Sequence, residues 1–570
     1  MKFKHLLIIA ILSIPASGSA QNLKSYIESI GEPNAWVDSV YNKLNRRERI
    51  AQMFMVRAHT DKGKRFEDSI AHVIKKEHIG GLVFFQGGPG RQAALTNHYQ
   101  EISKVPLLIA MDAEWGLGMR LDSTISYPYQ MTLGAIQDTG LIYNMGKQVA
   151  TDFKRLGMHV NFAPVADINN NPKNPVIGYR SFGDNKYNVS LKAGAYMKGM
   201  QDNGILVSLK HFPGHGDTDV DSHYDLPQLA FNRTRLDSLE LYPFRELVHE
   251  GASGVMIAHM NIPGLDKTPN LPSTLSRPII TGVLKNEMLF KGLIFSDAME
   301  MKGVVKFFPN GEADVMAVIA GNDILELSEN SARAVKLVRK AVRQGRIDKQ
   351  QITSSVKKIL LAKYWAGLNN YQPVKTTDVA QDLQRPEALA LKQQLADAAV
   401  TVLNSDSLIT NIDYAKKTAI ISIGPKELTL FQKELIPRFS NAMNFIVAKN
   451  ASGSDLTNVV EELKNYEQVI LAIYDTRKRP GPVLDYSNEV KLLAAQIAGM
   501  NSVVTVFANP YAIAGLPGIE FAKTLIMNYQ SGDEMQKASV KVITGEIKAS
   551  GKMPVTVNTF FKNGYGIAQQ

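Results

Sequence analysis

One short segment holds the densest set of side chains that could do chemistry. Residues 210–227 read KHFPGHGDTDVDSHYDLP and contain three histidines, at positions 211, 215 and 223, with four aspartates. Histidine exchanges protons near neutral pH, and both residue types bind metal ions. The composition fits a metal site, a catalytic loop or a polar surface turn, and the rest of the chain has to distinguish them.

The spacing of the histidines argues against a metal site. His211 and His215 are four apart, as in a zinc-binding helix, but Pro213 and Gly214 lie between them and would break such a helix. The glutamate of the H-E-x-x-H pattern is missing, and the chain contains no cysteine. We therefore expect neither a metal nor another cofactor.

A carboxylate–histidine pair is the second interpretation of the segment. Asp221 and His223 are two apart, so in an extended loop they face the same side. Asp221 would then fix the tautomer of His223 and leave its other ring nitrogen to exchange a proton with a substrate. A surface Asp–His pair remains the alternative. Asp297, in KGLIFSDAMEM, is either a carboxylate at a strand end or the N-cap of a following turn.

Strand and helix patterns alternate from about residue 46 to 345, which is typical of βα units and a parallel sheet. The eight predicted strands are MFMVRA (53–58), GLVFF (81–85), LLIAMD (107–112), VNFAPV (160–165), ILVSLKH (205–211), GVMIAH (254–259), GLIFSD (292–297) and DILEL (323–327). This count predicts a (β/α)8 TIM barrel, whose active site lies at the carboxyl ends of the strands. Polar residues stand at several of these ends, namely Asp112, Lys210, His211, His259 and Asp297.

A second αβ alternation follows a linker that contains Asn369, Asn370 and Pro373. A helix over 386–402 precedes strands near 418–424, 444–449, 468–475, 502–509 and 522–529, and a last helix near 533–545 precedes SGKMPVTV (550–557). The fold class is therefore α/β, with a barrel domain (21–370) followed by a smaller α/β sandwich (371–570) of five or six strands. No GxGxxG or GxxxxGK[ST] pattern follows these strands, which argues against nucleotide binding.

The N-terminus has the pattern of a signal peptide. Lys2 and Lys4 precede the apolar run 6–14, and Gly18 and Ala20 are placed for cleavage after residue 20. The run is too short to span a membrane, so we expect a periplasmic or secreted protein without stable membrane insertion. Removing the two lysines lowers the formal net charge from +10 to +8. The short basic run 477–479 fits a solvated loop better than a nucleic-acid surface.

The motifs together resemble a known family. KHFPGHGDTDVDSHYDLP, IAMDAEWGLGMR (109–120), NFAPVADIN (161–169), GYRSFGDN (178–185) and GLIFSDAMEM (292–301) are similar, in this order, to motifs of glycoside hydrolase family 3, in its bacterial β-N-acetylglucosaminidase branch. NPYAIAGLP (509–517) and SGKMPVTV resemble its C-terminal domain, so the resemblance covers about residues 40 to 560.

The resemblance implies roles for particular residues. Asp297 would be the nucleophile that forms a covalent glycosyl-enzyme, and His223, paired with Asp221, would be the acid/base. The ring of the sugar would be held by Asp112, Arg120, Arg180, Lys210 and His211. The implied activity is a retaining exo-β-N-acetylglucosaminidase that acts on chitooligosaccharides or peptidoglycan fragments, with a glycan containing N-acetylglucosamine as its partner and no nucleic acid.

The chain departs from the family pattern at two positions, and three other functions stay open. Trp115-Gly116 stands where two glycines are usual, and Ala298 stands where a second acidic residue often follows the nucleophile. Trp115 either stacks on a sugar ring or fills a loop. The alternatives are a β-N-acetylglucosaminide phosphorylase, a β-glucosidase, and a glycan-binding protein without catalysis. The phosphorylase is considered because a neutral histidine repels an incoming phosphate less than a carboxylate would. The sequence carries no signal for an oligomeric state.

Overall fold

The computed structural model describes residues 24–221, 224–405 and 412–567. Its N-terminal part is a closed barrel of parallel strands. The strands are β1 (Phe54–Ala58), β2 (Gly81–Phe84), β3 (Leu108–Met111), β4 (Val160–Asn161), β5 (Leu206–Val207), β6 (Leu209–Phe212), β7 (Gly254–Ile257), β8 (Leu293–Ser296) and β9 (Leu325–Glu326).

Strand pairing closes the barrel with eight strand positions. The order β5-β4-β3-β2-β1-β9 forms one run and β6-β7-β8 the other. Only Ser208 separates β5 from β6, so these two segments occupy one position. A parallel bridge between Phe295 and Ile324 joins β8 to β9, and a bridge between Val165 and Lys210 joins the segment after β4 to β6. The predicted barrel is confirmed, with its fifth strand broken in two.

Helices surround the barrel, so both faces of its strands are buried. They are α1 (Tyr26–Ser29), α2 (Ala35–Lys43), α3 (Arg46–Ala51), α4 (Lys64–Glu77), α5 (Pro89–Glu101), α6 (Gln130–Leu133), α7 (Thr139–Arg155), α8 (Lys186–Gln201), α9 (Arg233–Ser238), α10 (Tyr242–His249), α11 (Lys302–Val305), α12 (Glu312–Ala320), α13 (Ser331–Arg343) and α14 (Lys349–Trp365). A π-helix covers Pro278–Glu287, and 3-10 helices cover Leu117–Met119, Gly178–Arg180, Ser273–Leu275 and Leu368–Asn370.

Large apolar side chains fill the barrel interior. Phe162 and Phe295 meet edge to face with ring centroids 5.4 Å apart, and both are buried. Met256 is buried in the same cluster. Side chains alternate along a strand, so these residues fix which side of each strand faces inward.

The C-terminal part is a separate six-stranded sheet covered by helices, which confirms the predicted sandwich. Its order is β10-β15-β14-β13-β11-β12, and β10 alone runs antiparallel to its neighbour. The strands are β10 (Thr401–Ser405), β11 (Thr418–Ile423), β12 (Ala442–Val447), β13 (Gln468–Tyr474), β14 (Ser502–Phe507) and β15 (Thr524–Met527). The helices are α15 (Val379–Asp382), α16 (Pro386–Ala399), α17 (Leu430–Leu435), α18 (Gly453–Leu463), α19 (Asn488–Ala498) and α20 (Asp533–Ile543), with 3-10 helices at Ile436–Arg438, Pro510–Gly515 and Ile519–Phe521.

The second domain packs against the loops at the carboxyl ends of β3 and β4. Gln530 Oε1 accepts hydrogen bonds from the Tyr129 backbone N–H and the Thr132 hydroxyl, each at 2.9 Å. The amide of Asn169 donates to the buried Tyr511 hydroxyl at 3.0 Å. These contacts place the sandwich beside the end of the barrel where the predicted site residues lie.

In the described parts of the chain, the helices are all too short or too polar to cross a membrane.

Candidate active site

A salt-bridge network built on Lys210 occupies the carboxyl end of the barrel. Asp112 follows β3, and its two carboxylate oxygens accept hydrogen bonds from Lys210 Nζ at 2.7 Å and from Arg120 Nη2 at 2.5 Å. Burial raises the pKa of Asp112, but the charges of Lys210 and Arg120 outweigh it and hold that pKa well below its usual range. Asp112 is therefore a fixed anion.

Glu114 extends this network into the buried interior. Arg180 donates to both of its carboxylate oxygens, from Nη2 at 2.6 Å and from Nε at 3.0 Å, and Lys210 Nζ lies 2.8 Å from Oε1. Burial opposes ionisation, but the charges of Arg180 and Lys210 lower the pKa of Glu114 to about 2. Such a paired fork fixes the plane of the guanidinium group, so Arg180 is held rigidly beside the site.

His211 is oriented by a buried aspartate. Its Nδ1 lies 2.7 Å from Oδ2 of Asp167, and the other carboxylate oxygen accepts the His215 backbone N–H, also at 2.7 Å. Because burial is outweighed mainly by the interaction with His211, the pKa of Asp167 is lowered. The carboxylate holds the proton on Nδ1, which turns His211 Nε2 towards Arg180 Nη2, 3.4 Å away.

Asp297 continues the line of β8 and is half-buried. Its backbone N–H donates to the Ile257 carbonyl of β7 at 2.9 Å, and one carboxylate oxygen accepts the Ala298 N–H at 2.7 Å. His259 Nε2 lies 3.0 Å from the Ala298 carbonyl, and its Nδ1 lies 2.6 Å from the Thr274 hydroxyl. The turn that carries Asp297 is thus tied to β7 and to a buried histidine.

The histidine-rich segment forms a loop anchored at both ends. The His215 Nδ1 bonds to the Thr218 hydroxyl at 2.8 Å, and Asp217 accepts from Arg235 at 3.2 Å. At the far end, Asp225 pairs with Lys306, just after α11, at 2.9 Å. Between these anchors, the Asp221 carbonyl accepts the N–H groups of Tyr224 (2.9 Å) and Asp225 (3.2 Å).

The structure brings together most of the predicted site residues. Arg120 and Lys210 both pair with Asp112, Arg180 is joined to Lys210 through Glu114, and His211 lies beside Arg180. His223 lies outside the described residues. In the segments that the structure does describe, no three His, Asp or Glu side chains converge in a metal-binding cluster.

Three buried carboxyl groups were missed in the sequence: Glu114, Asp167 and Glu326. Glu114 lies two positions after Asp112, and Asp167 follows the fourth strand in NFAPVADIN. Glu326 is the last residue of β9 and lies one position before the end of the predicted strand DILEL (323–327), so the pattern that indicated Asp112 and Asp297, a polar residue at the carboxyl end of a barrel strand, applies to it as well.

An aromatic cluster, Trp115, Tyr129 and Tyr179, borders the network. The Tyr129 ring centroid lies 4.8 Å from those of both Trp115 and Tyr179, and all three rings are half-exposed. The Tyr129 hydroxyl donates to the Lys478 carbonyl of the second domain at 3.4 Å. Trp115 therefore packs with two tyrosines and remains open on one side, and the basic run 477–479 lies beside the cluster.

Comparisons with known proteins agree with this architecture. Residues 46–362 match the description "Glycosyl hydrolase family 3 N terminal domain". The chain is 27% identical over 552 residues to beta-hexosaminidase A of Pseudoalteromonas piscicida, covering 86% of this chain and 91% of that protein. It is 30% identical over 339 residues to beta-hexosaminidase LpqI of Mycobacterium tuberculosis, covering 56% and 83%.

Solved structures show the same fold. A glycoside hydrolase family 3 beta-N-acetylglucosaminidase from Paenibacillus sp. str. FPU-7 is 30% identical, with a TM-score of 0.76 and coverage of 90% of this chain and 99% of that one. The beta-glucoside phosphorylase BglX, at 21% identity and a TM-score of 0.78, shares the fold over 92% of this chain and 96% of its own.

Proposed function

Because the chain belongs to glycoside hydrolase family 3, we propose that it is a retaining exo-β-N-acetylglucosaminidase. The observation that carries this proposal is the arrangement of Asp297 at the end of β8 with the Lys210 network at the same end of the barrel. The relatives named beta-hexosaminidase and beta-N-acetylglucosaminidase support the choice of sugar.

The proposed reaction has two steps. Asp297 attacks the anomeric carbon, the glycosidic C–O bond breaks, and the departing oxygen takes a proton from His223. Water then attacks the anomeric carbon and passes a proton to His223, and the bond to Asp297 breaks. Asp221 holds the tautomer of His223, which returns to its starting protonation state. Two inversions at the anomeric carbon give retention.

The Lys210 network supplies recognition of the sugar. Asp112 can accept hydrogen bonds from hydroxyl groups, while Arg120, Arg180 and Lys210 can donate to hydroxyl oxygens. His211 presents Nε2 to the same region. Each of these groups is already held by a salt bridge or hydrogen bond, so binding the sugar costs little side-chain ordering.

We propose chitooligosaccharides or peptidoglycan fragments as the natural substrates. The half-exposed rings of Trp115, Tyr129 and Tyr179 support this, because aromatic faces beside charged groups suit the mixed polar and apolar faces of sugars.

We also propose that the protein is exported with cleavage after Ala20. Sequencing the N-terminus of protein isolated from the periplasm or medium tests this, and an N-terminus that still carries residues 1–20 would contradict it.

The activity is tested with the 4-nitrophenyl β-glycosides of N-acetylglucosamine and glucose, with and without inorganic phosphate. We expect nitrophenol release from the N-acetyl substrate alone and free N-acetylglucosamine as product. A sugar 1-phosphate would indicate a phosphorylase, and release mainly from the glucoside would indicate a β-glucosidase. No release from either substrate would favour a glycan-binding protein without catalysis.

The nucleophile is tested by Asp297→Ala, which should lower kcat by about 10⁴-fold or more without unfolding the barrel. Asp68→Ala is the matched control, since Asp68 is an exposed aspartate on α4 that pairs with Lys64 at the surface. Near-normal turnover by the Asp297 variant would refute the role given to Asp297.

A further inference from the structure

Glu326 faces the barrel interior next to Asp297. Phe295 and Ile324 are bridged on adjacent parallel strands, and Phe295 points inward against Phe162. Successive side chains point to opposite sides of a strand. The residues two positions further on, Asp297 and Glu326, therefore both face inward. Adjacent strands lie about 4.8 Å apart. The two carboxyl groups are therefore neighbours at the mouth of the barrel.

The Glu326 side chain is buried, and its Oε1 atom has no hydrogen-bond partner among residues 24–221, 224–405 and 412–567. Its backbone is fixed, because its N–H donates to the Ser296 hydroxyl at 3.0 Å and its carbonyl accepts the Met299 N–H at 2.9 Å. A buried carboxyl oxygen without a partner is costly unless the site uses it. The two-step reaction above assigns Glu326 no role.

The charges around Glu326 decide its protonation state. Burial raises the pKa of its carboxyl, the negative charges of Asp112 and Asp297 raise it further, and Lys210 opposes them only in part. Lys210 already donates to Asp112 and lies within salt-bridge distance of Glu114. The next inward residue on β1, Arg57, pairs with Glu300. Among the described residues, no cation on the neighbouring strands is therefore left to hold Glu326 as an anion.

We propose that Glu326 is a protonated carboxylic acid that positions the Asp297 nucleophile by donating a hydrogen bond towards its carboxylate. This inference rests on the proposed role of Asp297. The proton stays on Glu326 and no bond to it forms or breaks. Such a donor interacts most strongly when Asp297 carries its full charge. It therefore assists the second step, in which Asp297 leaves the sugar and recovers that charge.

The kinetic consequence is a coupled change in kcat and KM. The test uses an aryl β-N-acetylglucosaminide with a good leaving group, so that hydrolysis of the glycosyl-enzyme limits turnover. We expect Glu326→Leu to lower kcat about tenfold and KM by a similar factor, because the glycosyl-enzyme accumulates, while kcat/KM stays within about threefold. Mass spectrometry of the intact protein during turnover should show the accumulated covalent adduct.

Glu326→Gln is the matched variant, because its amide N–H group can replace the O–H donor. It should restore most of the kcat lost in Glu326→Leu. A packing role alone would predict no adduct and similar kinetics for both variants. A rise in KM with a fall in kcat/KM would mean that Glu326 acts on Asp112 and on binding of the sugar, and not on Asp297. Either result would overturn the proposal.

Infrared difference spectroscopy gives a readout that does not depend on turnover. At neutral pH, wild type minus Glu326→Gln should show the carbonyl band of a protonated carboxylic acid. A carboxylate band in its place would refute the proposal even if Glu326→Leu failed to fold. Failure of the proposed function itself would give a different result. In that case wild type would lack N-acetylglucosaminidase activity, or Asp297→Ala would retain it.

Discussion

The protonation of Glu326 has a consequence for stability that can be measured without a substrate. In the unfolded chain a glutamate titrates at about pH 4.3, whereas burial and the nearby carboxylates raise the pKa of folded Glu326 well above its ordinary value. Between these two pKa values the folded protein binds one more proton than the unfolded chain. The free energy of unfolding therefore falls as pH rises through this window.

The expected magnitude follows from the linkage of one proton. One pH unit inside the window changes the free energy of unfolding by about 1.4 kcal/mol. Between about pH 5.5 and about pH 7.5, Glu326 should thus lower the stability of wild type by about 1.4 kcal/mol for each pH unit that lies inside the window. A glutamine side chain cannot ionise in either state, so Glu326→Gln removes this contribution. The variant should gain stability relative to wild type by that amount between the two pH values.

Urea unfolding followed by tryptophan fluorescence is the assay. All three tryptophans, Trp36, Trp115 and Trp365, lie in the barrel part of the chain, so their signal reports on that domain. Glu32→Gln is the control, because the Glu32 side chain is 50% exposed and pairs at the surface with Lys24. Its effect should be the same at both pH values. If the stability difference between Glu326→Gln and wild type did not change with pH, Glu326 would not be protonated on folding.

Three further predictions concern one buried ion pair and two tightly packed positions, and urea unfolding checks each of them. Arg385→Met removes the partner, at 2.6 Å, of the buried Asp152 carboxylate and should cost about 3–5 kcal/mol near pH 8. The cost should shrink near pH 5, because burial already raises the pKa of Asp152 to about 6 against the effect of Arg385, and an unchanged cost would contradict this. Phe162→Ala should cost about 3–5 kcal/mol and Phe162→Leu clearly less, whereas equal costs would argue against tight packing inside the barrel. Gly134→Ala would place a methyl carbon 2.2 Å from the Phe182 carbonyl oxygen, so a loss of about 1–3 kcal/mol is expected and an unchanged midpoint would show that the backbone yields freely.

The strand pattern of the barrel was predictable because buried parallel strands are short, apolar and bounded by polar residues. The fifth strand was predicted as one segment over 205–211, but Ser208 separates β5 from β6, and the register with β7 shifts between Leu209 and Phe212. The helix predicted over 386–402 ends at Ala399, and Thr401–Ser405 forms the antiparallel edge strand β10. Local propensity does not reveal a strand whose partner, β15, lies about 120 residues away in the chain.

The candidate site was predictable only where strand ends expose polar residues in the sequence. Asp112, Lys210 and Asp297 follow that pattern, and the structure places them at the same end of the barrel. Glu114 and Asp167 lie in loops, and their roles depend on partners far along the chain, Arg180 at 66 positions and His211 at 44. Nothing in the local sequence distinguishes such a buried ion pair from a solvated acidic residue.

The charges at the mouth of the barrel explain why a neutral Glu326 suits the proposed reaction. With Glu326 protonated, the cations Arg120, Arg180 and Lys210 balance the anions Asp112, Glu114 and Asp297, so these charges cancel. Ionised Glu326 would add a further anion beside the nucleophile and disfavour the departure of Asp297 as a carboxylate. Formation of the glycosyl ester removes the charge of Asp297, and one of the two like charges that hold the proton on Glu326 disappears with it. In the glycosyl-enzyme, only burial and the charge of Asp112 are therefore left to keep the proton on Glu326. Burial is the largest of the causes that raise the pKa of Glu326.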